Sequence, residues 1–162
     1  MNNNMVIIKK VPERRLTLRD STFNIENLYN KLKVRLKDMN YLLTEKEQEF
    51  KSTQYGDKIV FKFNVWKEID TFGKIEIDID FVFDKIKKTK GMHRGDLVFT
   101  IKPKVILDHK HRWGKSVFSK FLMFVYMNTF REEVKKKYFV PVIKESIEIY
   151  NYVKELLDEY KH

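Results

Sequence analysis

From Ile59 onward the chain alternates apolar and polar residues with a period of two. The odd positions read Ile59, Phe61, Phe63, Val65, Lys67 and Ile69, then Ile75, Ile77, Ile79, Phe81 and Phe83, then Leu97, Phe99, Ile101, Val105 and Leu107, apolar throughout except for Lys67. The even positions carry the charge: Lys58, Lys62 and Glu68 in the first run, Glu76, Asp78, Asp80 and Asp84 in the second, Lys102 and Lys104 in the third. Successive side chains of a strand point to opposite faces, so the pattern predicts half-buried antiparallel strands over 58–70, 74–84 and 96–108. Opposite charges facing each other across a ladder stabilise it and like charges do the reverse, which places the acidic strand between the two basic ones as a meander. A short turn at Asp70, Thr71 and Phe72 would set Lys58 opposite Asp84, Lys62 opposite Asp80 and Glu68 opposite Lys74. Lengthening it by two residues would set Glu68 against Glu76.

Outside these runs the period changes. Ile25, Leu28, Tyr29, Leu32, Leu36 and Met39 form the apolar stripe of a helix over 25–39, with Asn24 as its N-cap. Short strands broken by Pro12 precede it, Val6 to Val11 and Arg15 to Arg19, and a more polar edge strand follows at 42–53. From Lys115 the spacing is helical again. It predicts a long helix over 116–138, and a second opened by Pro141 and running to about 160. The first is apolar on all sides from Val117 to Met127, so Phe121, Leu122, Phe124 and Val125 are expected to be buried, or else covered by a second subunit. The fold expected is a single α+β domain over 1–162: an antiparallel meander of at least three to four strands, one face covered by an N-terminal helix and two C-terminal helices.

Charge sharpens this picture. The 36 residues from Lys85 to Lys120 hold eleven Lys or Arg against Asp96 and Asp108, a local +9 out of +10 for the whole chain. The cations are Lys85, Lys87, Lys88, Lys90, Arg94, Lys102, Lys104, Lys110, Arg112, Lys115 and Lys120. Codon usage in an AT-rich genome would raise lysine and glutamate together, yet this region has no glutamate. A clustered positive field attracts phosphate, so all but Lys120 form the candidate nucleic-acid-binding set.

Two segments carry most of it. The first, Asp84 to Asp96, reads as a flexible basic loop able to track a phosphate backbone, or as a solvated hairpin loop whose lysines protect a sheet end from aggregation. In the second, Asp108 to Lys115, cations flank Trp113, a pairing used by single-strand sites, although a Trp at a strand-to-helix corner more often plugs a core. In a meander the two lie about 35 Å apart, at opposite ends of the third strand.

Other chemistries find little footing. With no cysteine, disulfides and thiolate chemistry are excluded. His109 and His111 share a strand face but lack further ligands at metal-site spacing, and no HExxH motif, nucleophile elbow or glycine-rich phosphate loop occurs. Glu76, Asp78 and Asp80 are better explained as cross-strand partners of lysines than as an acid–base pair. No cofactor is implied. The apolar run near the start, Met5 to Ile8, is too short for a secretory segment, and Phe121 to Met127 is too short to span a bilayer, so a cytoplasmic protein without a membrane partner is expected.

A strand ending in Asp108, then Trp113, then a helix with Phe118, Phe121, Leu122 and Tyr126 resembles a pattern in a group of small uncharacterised archaeal α+β proteins, over about residues 25–160. The order of elements is also similar to a reduced helix-grip fold, in which a curved sheet wraps a long helix around an apolar pocket. Three roles are therefore open: a non-enzymatic binding protein for nucleic acid or another polyanion; an assembly module that forms a homo-oligomer through helix 117–127 and the outer residues Val60, Val82, Val98 and Ile106; and a pocket lined by Phe61, Phe63, Phe81 and Phe99 for an apolar ligand.

Overall fold

The computed structural model describes residues 7–107 and 117–159. In chain order the elements are β1 (Ile7–Lys10), β2 (Arg14–Phe23), α1 (Ile25–Asp38), β3 (Leu42–Thr53), β4 (Gly56–Glu68), β5 (Gly73–Thr89), β6 (Met92–Leu107), α2 (Val117–Thr129), α3 (Arg131–Val134), a π turn (Lys135–Phe139) and α4 (Val140–Asp158). It is an α+β fold. The antiparallel sheet runs β1–β6–β5–β4–β3, and β2 pairs β6 end to end with β1, so the two share one rank. The break between them holds Pro12, which has no N–H to give to a ladder.

The meander has the register that the charge pattern demands. Lys62 faces Asp80 and Glu68 faces Lys74 across β4 and β5, while Asp78 faces Lys102 and Glu76 faces Lys104 across β5 and β6. Lys58 and Asp84 fall beside an irregularity in the ladder and are not register partners. On the inner face the same register aligns Phe61, Phe81 and Phe99 in one row, and Phe63, Ile79 and Ile101 in the next. Phe81 and Phe99 stack with ring centroids 4.8 Å apart, and Tyr150 of α4 stacks on Phe99 at 5.9 Å. Ile75, Ile77, Ile79, Phe81 and Phe83 are all buried, so β5 is the spine of the core. The Asn24 side chain accepts from the Asn27 N–H at 3.0 Å and starts α1, whose Leu28, Leu32 and Leu36 close the core over β4 and β5.

The alternation of faces changes hands once. Between Asp84 and Lys87 the register slips by one residue against β6, and a matching slip separates Asp57 from Ile59 on β4. The extra residue makes a β-bulge with Lys85 at φ 54. Glycines flank it on both neighbouring strands: a Cβ on Gly56 would lie 2.7 Å from the Lys85 carbonyl carbon, and one on Gly95 2.7 Å from the Asp84 carbonyl oxygen. Past the bulge the even position Ile86 is buried where odd ones were. The segment 84–96, expected as a flexible loop, is instead ladder almost throughout, closed by the two-residue turn Lys90–Gly91 with φ 51 and 77.

The C-terminal helices depart from the sequence reading. The helix expected over 116–138 stops at Thr129, because Phe130 leaves helical geometry (φ −107, ψ 30). α3, the π turn and α4 then follow with helical dihedrals at each junction, so Pro141 does not open a new helix but sits at its second residue after the π turn. Proline lacks the N–H of an i→i−4 bond and its ring crowds the preceding turn, and widening that turn to i→i−5, seen in Val140 N–H to Lys135 O, makes room. Phe121, Leu122, Phe124 and Val125, expected in the core, are exposed, and of α2 only Met123 is buried. The physical reason is placement: α2 lies at the margin, with Tyr126 against Phe72 of the β4–β5 turn, whereas α4 and α1 occupy the concave face.

Two polar clasps hold the α3–α4 helix to the sheet. In one, Asp70 accepts from the Phe72 and Gly73 N–H groups (2.9 and 2.7 Å), from Tyr138 Oη (2.8 Å) and from Lys137 Nζ (2.8 Å). Burial alone would raise the Asp70 carboxyl, but these partners hold it well below the usual carboxylate range. In the other, Glu145 pairs with Lys67 and accepts from Tyr41 Oη at 3.0 Å, and Lys67 also donates to the Met39 carbonyl at 3.1 Å. A Cβ on Gly73 would lie 2.2 Å from the Tyr138 ring, so the first clasp closes only over a glycine. Gly73→Ala should therefore destabilise the fold by about 1–3 kcal/mol, read by denaturant unfolding; an unchanged midpoint would mean that Tyr138 is free to move aside.

Candidate nucleic-acid interface

The seven candidate cations among the described residues do not form one strip. Lys110, Arg112 and Lys115, with His109, His111 and Trp113, lie outside the described residues. Lys102 and Lys104 stand on the outer face among carboxylates. Lys104 Nζ is 3.4 Å from Glu76 and 3.9 Å from Asp78, and Lys102 Nζ is 3.8 Å from Asp80. Lys46, Lys62 and Lys74 complete this network, and the buried Asn64 amide donates to Glu76 and Asp78 at 2.7 and 2.9 Å. The charge of Lys102 and Lys104 is thus answered locally. Within the same network Val60 and Ile106 are buried by their neighbours, and Val82 and Val98 are half-buried.

The remaining five gather at the β5–β6 tip. Arg94 is held by a two-pronged pair with Asp20 (2.8 and 2.9 Å), which draws the Asp20 carboxyl below its ordinary range. Asp20 itself sits at φ 46 in a second bulge, on β2, level with the one on β5. Lys85 lies 4.0 Å from Asp96. Lys87, Lys88 and Lys90 are exposed and no carboxylate stands within ion-pair distance of them among the described residues. The β3–β4 hairpin ends at the same level, since Asp57 pairs with Ile86, and adds Lys51 and Lys58 directly opposite each other. Like charges in register cost stability, and this end of the sheet carries such pairs of both signs, since Asp84 also stands opposite Asp96.

The β5 bulge determines what that field faces. Lys87 stays on the outer side, but Lys88 is turned to the concave side, in register with His93. There a cleft of about 370 Å³ is lined by Ile25, Glu26, Tyr29, Gln48, Phe61, Lys88 and His93. His93 Nδ1 accepts from the Ile25 N–H at 3.4 Å, at the start of α1. Burial and then Lys88 lower the imidazole's proton affinity, against a weaker opposing pull from Glu26. The cleft therefore combines a cation, a neutral imidazole, aromatic rings and a primary amide. Phe50, in register with Ile59 on the edge strand, and Tyr55 in the β3–β4 turn are exposed nearby, each 67% accessible. This is chemistry suited to a base and its phosphate.

None of Tyr29, Gln48, Phe50 or His93 was among the sequence candidates. One signal was available: the apolar position moves from Phe83 to Ile86, odd to even, between two glycines that become its neighbours. Between α1 and Phe61, Phe63, Phe81 and Phe83 the space open to a water-sized sphere is about 10 Å³, about what a single water needs and too little for an apolar ligand. Among the described residues no three His, Asp or Glu are placed to hold a metal ion, and no helix is long and apolar enough to cross a membrane. In a surface cleft of about 720 Å³ beside Trp66 and Pro141, Lys67 and Glu145 belong to the second clasp and have their partners.

No family model matches the chain, and no curated protein or solved structure is significantly similar to it.

His93 gives this end of the sheet a pH signature. A histidine whose folded pKa is lowered supports the fold fully above its unfolded value of about 6.5, and that support is lost as the pH falls through the lowered folded value. His93→Gln should remove this dependence, so the difference in melting temperature between wild type and variant should shrink on acidification through that window; a gap that widens instead would mean His93 is held protonated.

Proposed function

We propose that the protein is a non-enzymatic binding protein that engages single-stranded nucleic acid through the basic end of its sheet. The observation that carries this reading is that the bulge turns Lys88 rather than Lys87 to the helix-covered side, beside the Tyr29–Phe61–His93 cleft, with neither lysine in an ion pair among the described residues. A backbone tracking over the tip would meet Lys87 and Lys90, and a base turned into the concave side would find rings to stack on. The footprint is narrower than the run of charge suggests, since Lys102 and Lys104 serve the sheet's own carboxylates. Assembly is favoured as a second reading by one observation, the outward apolar face of α2.

The test is affinity for a mixed oligonucleotide as salt rises. Log affinity should fall against log salt with a slope of roughly −0.7 per phosphate neutralised. Replacing Lys87, Lys88 and Lys90 by Gln should flatten the slope by about 2 and leave melting unchanged, while the same change at Lys102 and Lys104 should leave the slope as it was. Phe50→Ala should weaken binding about tenfold, within the range for one stacked base. A wild-type protein that binds neither single nor double strands at low salt would overturn the reading.

A further inference from the structure

α2 is inverted relative to an ordinary surface helix. At about 100° per residue, Val117, Phe118, Phe121, Leu122, Phe124 and Val125 fall in one arc of about 160°, and all face away from the protein. Their exposures are 85, 68, 59, 41, 66 and 41%, whereas Met123 on the opposite side is 1% exposed. No charged residue lies in the arc. Only Asn128 and Thr129, at its C-terminal end, are polar, and Lys120 sits at its edge.

Five of these six exposed residues also read the same in both directions, the exception being Leu122, whose counterpart on the other side of Phe121 is Lys120 at the edge of the arc. Around Phe121 the order is Val117, Phe118, Phe121, Phe124, Val125, with equal spacing on either side. In an antiparallel pair of helices related by a two-fold axis through Phe121, a residue meets the one equally far on the other side of the axis. Val117 then lies against Val125, Phe118 against Phe124, and Phe121 against its own counterpart. An unrelated partner would not require that symmetry.

The area is of the right size. With about 150–250 Å² for each aromatic ring, the arc exposes on the order of 600 Å² of apolar surface, at the upper limit for a lone monomer. A groove of about 560 Å³ continues from Asn128 over Met127, Val134, Phe139 and Ile143, with Arg131 and Lys135 lining it. Arc and groove together approach the roughly 800 Å² that each partner contributes to a standard interface. An apolar centre with a polar rim is also how such interfaces are built.

We infer that α2 is a homodimer interface, covered by α2 of a second copy of this chain in an antiparallel two-fold arrangement centred on Phe121. This face lies beyond the β4–β5 turn, at the other end of β5 from the basic tip, about 50 Å away at the rise of a strand. Binding at the tip and pairing at α2 are therefore separate claims, and either can fail alone.

The test is the mass of the full chain by sedimentation equilibrium, with circular dichroism to follow folding. Wild type should give twice 19.7 kDa. Phe121→Glu and Phe121→Lys should each give folded monomers, because like charges would meet on the axis. Mixed in equal amounts, these two variants should recover the dimer mass, which only self-contact at position 121 accounts for. A monomeric wild type, with or without binding to anionic lipid vesicles, would overturn the inference. So would a dimer that survives both substitutions, or a mixture that stays monomeric.

Discussion

Parity along β5 is the constraint on which the rest of the structure depends. Its odd residues are closed in by β4 and β6 on either side and by helices above, and its even carboxylates stand between lysines on both flanking strands. A slip of one residue would turn Ile75, Ile77, Ile79, Phe81 and Phe83 to water and bury Glu76, Asp78 and Asp80, so the apolar and ionic patterns enforce one register together. The bulge at Lys85 is the place where that rule is broken. It is possible only because Gly56 and Gly95 leave the space, and it hands the concave face from apolar residues to Lys88 and His93.

The helices answer to the sheet in a different way. Once a sheet has one apolar face, α4 needs only its own stripe of Val142, Ile149, Val153, Leu156 and Leu157 to pack there. Its position along the sheet is set by the clasps at Asp70 and Glu145, which reach the turn between β4 and β5, the end of α1 and β4 itself. The π turn places Tyr138 for the first clasp while accommodating Pro141. The same helix carries Lys137 to Asp70, so a turn that looks irregular in isolation supplies two side-chain partners of that carboxylate.

Much of this was legible in the sequence wherever one physical rule governed a run of residues. The three central strands, their order and the pairing of Lys62 with Asp80 and Glu68 with Lys74 followed from alternation and charge, and the Asn24 cap from its place just before a helical stripe, whereas the pairing of β1 and β2 with β6 was not foreseen. The failures occurred where rules competed. Pro141 fits the first turn of a helix, and a π turn upstream lets it be the continuation of one. An all-round apolar helix suggests burial, yet the concave face is already filled by α1 and α4, and the apolar side of α2 is left outward. Along the basic region, sequence distance gave no hint that Lys102 and Lys104 would be answered by carboxylates of the next strand while Lys87, Lys88 and Lys90 would not. The middle and the tip of one hairpin differ because β5 is acidic only as far as Asp84.

On the proposed function, the bulge makes one end of a well-paired sheet the binding surface and the paired strip beside it takes no part. Amide chemical-shift mapping of the isotopically labelled protein during titration with a single-stranded oligonucleotide tests this most directly. The account predicts shifts concentrated at residues 86–94, at the start of α1 around Glu26 and Tyr29, and at Gln48 and Phe50, with the amides around Lys102 and Lys104 unmoved. Shifts centred on Lys102 and Lys104, or none at the tip at saturating ligand, would contradict it.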